Sequence, residues 1–156
     1  MTKEYLVTDF YHLEKYNNKF PKRFLEIPIF NKKKKIQKNI IYKTWKNQNE
    51  KIKEHNNNVK LFKFYLKKLS IYLNKYHHRK FSKRYWELIL TPWLWWFISS
   101  ISFKWGLINS IKPNKYIFLK KEIEPNEVIP VGIEDFMKMS TSNFWNHYMF
   151  SKIIEH

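Results

Sequence analysis

The chain contains no cysteine and no alanine, and only two glycines, Gly106 and Gly132. Without cysteine there can be no disulfide framework, thiolate zinc site, iron-sulfur cluster or cysteine nucleophile, and the redox compartment leaves no trace in the sequence. Two glycines are too few for a Walker loop or a GxGxxG turn, both of which need glycine where backbone amides approach phosphate. Acidic residues are scarce: 13 Asp+Glu stand against 30 Lys+Arg, giving a net charge of +17. A membrane-spanning run is also missing. The uncharged stretch from Leu88 to Phe103 falls short of the ~20 residues a transmembrane helix needs, and it contains Pro92, Ser99, Ser100 and Ser102.

What is present suffices for one core. The 156 residues are 44% hydrophobic and 19% aromatic, far from the low-hydrophobicity signature of a disordered basic tail. The length bounds the chain to one domain or a piece of one. Lys, Asn, Ile, Tyr and Phe are abundant, as an AT-rich genome dictates at permissive positions, so part of the basic excess is compositional drift. Tryptophan runs against that bias, and seven are kept.

The charge is unevenly placed. Residues 1–84 hold 23 Lys+Arg and 6 Asp+Glu, and residues 85–156 hold 7 of each. Met1 to Phe10 has no apolar segment behind its lysine, and Glu4, Asp9 and Glu14 disfavour a mitochondrial presequence, so a cytoplasmic address is expected.

Tyr5–Thr8 and Phe24–Phe30 read as short strands, the second an edge because of Pro28, and Asn31–Asn58 as a loop followed by irregular helix. From Val59, the spacing of Phe62, Leu66, Leu69, Leu73 and Tyr76 predicts an amphipathic helix. Ser82 stands at an N-cap before a second helical pattern through Trp86, Leu90, Trp93, Phe97, Ile101 and Trp105, with Pro92 expected to kink or break it. Tyr116–Leu119 reads as a buried strand, Pro125–Pro130 as a loop, Gly132–Met139 as a turn or short helix, and Ser142 as the cap of a last helix. This order divides the chain into a basic, loop-rich 1–58, a helical 59–110 and a strand-loop-helix 111–156, and predicts an α/β fold with a parallel sheet.

Several chemistries find no support. Of the six histidines, none forms the i, i+3 or i, i+4 pair that serves a metal from one helix face, and Glu122, Glu124, Glu127, Glu134 and Asp135 form no magnesium pair, so no metal or cofactor is expected. No GxSxG nucleophile motif occurs. The run Lys32–Lys35 with Lys38, Tyr42 and Trp45 could bind phosphates and bases, but a solvated loop in a lysine-biased chain accounts for it better. Two clusters are denser than composition gives. His77, Arg84, Tyr85, Trp86, Pro92 and Trp93 join a titratable ring, a fixed cation and amphipathic aromatics, the groups that sugar rings and phosphates bind. Glu134-Asp135-Phe136 and Trp145-Asn146-His147-Tyr148 form the other. The plain alternative for both is aromatic packing in a core.

At these clusters the chain resembles a known family. Leu73-Asn74, His77, Ser82 and Arg84-Tyr85-Trp86 through Pro92-Trp93-Leu94 match the pattern LN..H....S.RYW.iL.gPWL of transferases encoded in bacterial O-antigen and other surface-carbohydrate gene clusters. Asp135-Phe136, eight residues and Trp145-Asn146-His147 match that family's DF........WNH, in the same order. The likeness runs from about Leu69 onward. Thr91 stands where the family usually has glycine, and Phe103-Lys104 where it has an acid and an arginine.

The resemblance implies a Rossmann-like N-terminal region of a two-domain, GT-B-like nucleotide-sugar transferase several times longer than this chain. Its donor, a nucleotide-activated sugar, would be held mostly by a C-terminal half. His77, Arg84, Tyr85, Trp86, Trp93, Asp135, Trp145, Asn146 and His147 would then line or support an inter-domain cleft. Arg84 would hold a phosphate or carboxylate, the tryptophans would stack on a sugar, and Asp135 or His147 would be first in line for proton transfer. The resemblance assigns no catalytic residue. The rival expectation is a basic, non-catalytic module whose residues 1–84 bind RNA or an anionic membrane surface, the latter consistent with a peripheral place at the inner membrane face.

Overall fold

The computed structural model describes residues 4–7, 22–24, 45, 47–111, 116–118 and 124–155. The chain divides into two compact units, one of residues 44–103 and one combining 1–43 with 104–156.

The first unit is a helical hairpin. Helix α1 runs over Gln48–Tyr76 and starts eleven residues before Val59, because Asn47 caps it: its side-chain oxygen accepts from the Glu50 amide at 3.0 Å. The helix ends in a Schellman motif. The Arg79 amide donates to the Asn74 carbonyl at 2.9 Å and the His78 amide to the Lys75 carbonyl at 3.2 Å, which satisfies two terminal carbonyls. His78 takes the left-handed position usual for glycine, at φ 52°. Helix α2, Lys83–Asn109, begins where expected, with the Ser82 hydroxyl accepting from the Tyr85 amide at 3.2 Å. It passes Pro92 without a break. The Thr91 hydroxyl donates to the Glu87 carbonyl one turn before the proline.

The two helices hold each other. Leu66 of α1 packs with Trp86, Leu90, Leu94 and Ile98 of α2, and Phe62, Leu69, Leu73 and Trp93 close in around them. Each such aliphatic side chain contributes roughly 1.5–3 kcal/mol by leaving water. The α2 stripe advances in strict fours, a single ridge of the helix surface. It therefore buries Leu94 and Ile98, where mixed spacing predicted Phe97 and Ile101, which are half-buried. Tyr76 and Trp105, counted among the inward residues, stand 66% and 47% exposed. On the polar side of the seam, the Ser102 hydroxyl donates to the Asn58 side chain at 2.7 Å.

The second unit holds a small parallel sheet, in the order β2-β1-β3, made of β1 (Glu4–Val7), β2 (Lys22–Phe24) and β3 (Tyr116–Phe118). Tyr5 pairs with Lys22 on one side and Ile117 on the other. A 3-10 turn at Pro125–Val128 precedes α3 (Ile133–Ser140) and α4 (Asn143–Glu155). Ser142 caps α4 as expected, accepting from the Trp145 amide at 3.1 Å. Leu107, Val128, Phe136, Trp145, Phe150 and Ile153 are buried in this unit.

The Rossmann-like, GT-B-like α/β expectation is thereby corrected. Helices of 29, 27, 8 and 13 residues dominate the described residues, against strands of four, three and three. In a doubly wound fold, helices bury their apolar stripes against a sheet. Here the stripes of α1 and α2 are consumed by one another. The remainder of the Phe24–Phe30 strand reading and the Lys32–Lys35 run lie outside the described residues.

Candidate functional site

The turn of the hairpin gathers four of the expected residues. Its organiser is Asn74, in the last turn of α1. The Asn74 amide nitrogen donates to the Phe81 carbonyl at 2.9 Å, while its oxygen accepts from the Phe81 amide at 3.0 Å and from the Trp86 indole nitrogen at 2.9 Å. One side chain thus ties the end of α1, the connecting loop and the start of α2. Residue 74 was visible in the sequence as the asparagine of the LN..H pattern, but its role emerges only from these three bonds.

Around that clamp lie stacked rings. His77 caps α1, and its exposed imidazole lies over Trp86 with centroids 6.1 Å apart and planes 23° from parallel. Phe81 and Tyr85 stack at 4.1 Å and 22°, and each meets Trp86 edge-on. Trp86 is only 6% exposed, so it forms the floor, with His77, Phe81 and Tyr85 accessible above it. Arg84 projects into solvent beside them, its side chain 72% exposed and its guanidinium 3.1 Å from Glu87. An exposed ion pair of this kind is worth little to stability, which leaves the fork available to an anionic ligand. Trp93 lies two turns along α2, half-buried, in the wall of an apolar groove between α1 and α2.

The other expected residues belong to the second unit. Asp135 is the third residue of α3, where its carboxylate accepts from the Val131 amide at 2.9 Å, a capping bond across the helix start. Trp145, Asn146 and His147 are consecutive on α4 and all buried, His147 to 1%. Phe136 meets Trp145 edge-on at 6.2 Å, so the DF and WNH blocks join at the α3–α4 elbow. The Asn146 side-chain oxygen is buried without a hydrogen-bond partner. Lys104 was missed as a site residue. It is buried to 4% and its ammonium lies over the rings of Trp145, at 5.9 Å, and Phe150, at 5.4 Å. The lysine standing where the resembled pattern has arginine thus keeps a cation against the tryptophan of WNH.

Among the described residues, no group of three or more histidine or acidic side chains is placed to hold a metal ion. Nor is any helix among them long and apolar enough to cross a membrane.

The sequence profile of the LIC12162 family transferase matches residues 11–156. The chain belongs to this family. The match takes in both the hairpin turn and the α3–α4 elbow, so the transferase expectation stands at the level of the family. No curated protein and no solved structure matches this LIC12162 family transferase.

Proposed function

We propose that this LIC12162 family transferase moves a sugar from a nucleotide-activated donor during assembly of a bacterial surface polysaccharide of the O-antigen kind. The observation that carries the reading is the hairpin turn: two stacked ring pairs, His77 on Trp86 and Phe81 on Tyr85, beside the solvent-facing guanidinium of Arg84. Aromatic faces bind the apolar faces of sugar rings, and a guanidinium fork binds a phosphate through two parallel hydrogen bonds. The exposed rings of His77, Phe81 and Tyr85 face the sugar, Trp86 backs them and is held in place by Asn74, and Arg84 meets the donor's phosphates. The two sequence blocks shared with surface-carbohydrate transferases support the same substrate class, since the first of them is this turn.

Asp135 and the Trp145-Asn146-His147 run act in this reading as support for the second unit, because the carboxylate caps α3 and the imidazole is shut away from solvent. The test is Arg84→Lys, which keeps the charge and loses the planar fork. Surface polysaccharide made by cells carrying only the variant should be lost, while the melting temperature of the protein stays within about 1 °C, as expected for an exposed position. Polysaccharide at the unaltered level would overturn the assignment of Arg84 and of the turn.

A further inference from the structure

Helix α1 carries two apolar stripes. The first, through Phe62, Leu66, Leu69 and Leu73, is spent on α2. The second, through Leu61, Phe64, Tyr65, Ile71 and Tyr72, follows the same three-four spacing and is 41–61% exposed. Lys68 interrupts its centre and Lys75 stands at its end, and Lys60, Lys63 and Lys67 line its far side, all exposed. The Lys68 ammonium rests on the Phe64 ring at 5.7 Å, its stem lying along the stripe. The stripe opens directly onto the groove between the helices, because Leu61 and Tyr65 belong to both. That groove has a volume of about 350 Å³ and is walled by Leu69, Trp93, Phe97 and Ile101 as well.

We propose that the α1 stripe docks the hairpin on an anionic lipid bilayer, with its aromatic and aliphatic side chains at the boundary of headgroups and acyl chains and its lysines on the lipid phosphates. The charge fits that partner: residues 44–103 hold 12 Lys+Arg and 3 Asp+Glu. Amphipathic surfaces of this make-up, with Tyr and long basic side chains flanking aliphatics, lie in the interface plane of membranes. A protein partner fits less well, since the buried centres of protein interfaces are depleted in lysine. RNA would use the rings and the lysines but has no use for Leu61 and Ile71. The docking is separate from the transfer reaction and stands whether or not that reading holds.

The full chain would be floated with vesicles of phosphatidylcholine alone and of phosphatidylcholine with one-third phosphatidylglycerol. It should rise with the anionic vesicles and stay behind with the neutral ones. The triple variant Phe64→Ser, Ile71→Ser, Tyr72→Ser should bind the anionic vesicles roughly tenfold more weakly or worse, with its circular-dichroism melt retained because all three side chains are exposed. Replacing Lys67 and Lys68 with glutamine should weaken binding about fivefold for each lysine removed. Failure to float with anionic vesicles, or flotation untouched by the triple variant, overturns the proposal. So does a concentration-dependent dimer that the triple variant abolishes without vesicle binding, or RNA binding that withstands physiological salt and ignores the serines.

Discussion

Two asparagines distinguish the two halves of this molecule. Asn74, in the hairpin, uses both ends of its side chain, with three hydrogen bonds to the backbone and indole around it. Asn146, in the second unit, is buried beside Trp145 and His147 in the chain, yet its side-chain oxygen has no partner. The hairpin hydrogen-bonds the polar side chains it buries, Asn58 to Ser102 and Ser70 to the Leu66 carbonyl, and spends Asn74 on fixing a turn. The second unit takes Lys104, Asn146, His147 and Ser151 inside and sets the rings of Trp145 and Phe150 against the Lys104 ammonium. The same aromatic-rich composition thus serves accessible rings over a buried tryptophan in one unit and rings around a buried ammonium in the other.

The largest effect should come from removing one of the rings around the ammonium. Phe150 is fully buried, so Phe150→Ala should destabilise the protein by about 3–5 kcal/mol, read from urea unfolding, through lost burial, the cavity left behind and the exposed Lys104 ammonium. A loss below about 1 kcal/mol would mean that the second unit has no cooperative core. Next comes Asn74→Ala, which leaves the Trp86 indole and the Phe81 amide without their acceptor and should cost about 1–3 kcal/mol. Its companion Trp86→Phe removes one of those bonds and part of a buried ring, and should still cost less than Asn74→Ala if the clamp organises the turn. The reverse ranking would show that the ring, not the clamp, organises the turn.

Asn146→Leu should behave oppositely to Asn74→Ala. Replacing a buried amide whose oxygen is unpartnered by an apolar side chain of similar size should leave stability unchanged or raise it by up to about 1 kcal/mol. A clear loss would put the two asparagines in one class. The smallest effect belongs to the exposed pair Lys152–Glu155 on α4. The Glu155 carboxylate, by hydrogen bond and charge, raises the Lys152 pKa above its ordinary value. A raised folded-state pKa gives stability that is present below the unfolded value and lost as pH climbs through the folded one. Lys152→Gln should therefore lower melting slightly and by the same amount from about pH 6 to about pH 9, the difference vanishing in more alkaline solution, where the lysine itself loses its charge.

Much of the local structure was written in single residues. Ser82 and Ser142 marked helix starts because a hydroxyl at that place accepts an otherwise orphaned amide, a bond that needs no distant partner. Of the candidate site, the membership of the hairpin turn was legible as His77, Arg84, Tyr85 and Trp86, since residues so close in sequence must stay close across a short connection. Asn74 escaped notice as its organiser because its two partners, Phe81 and Trp86, lie seven and twelve residues away, at positions fixed only once the turn is closed. Pro92 misled in the other direction. Proline's missing amide argues for a break, yet burial of the Leu90, Leu94 and Ile98 ridge on α1 outweighs the lost bond and carries the helix through.

By itself, then, the sequence determined what neighbouring residues decide: helix type, helix caps, the absence of thiolate and glycine-loop chemistry, and the ring-and-arginine cluster at one turn. Tertiary structure decided what depends on a partner surface. A helix such as α1, with two apolar stripes, has no local reason to bury one and expose the other, and a lysine such as Lys104 carries no sign that it will be enclosed. Both were settled by which faces met, because burial is a property of pairs of surfaces. For the same reason, helices that could have covered a parallel sheet formed instead a hairpin on their own terms.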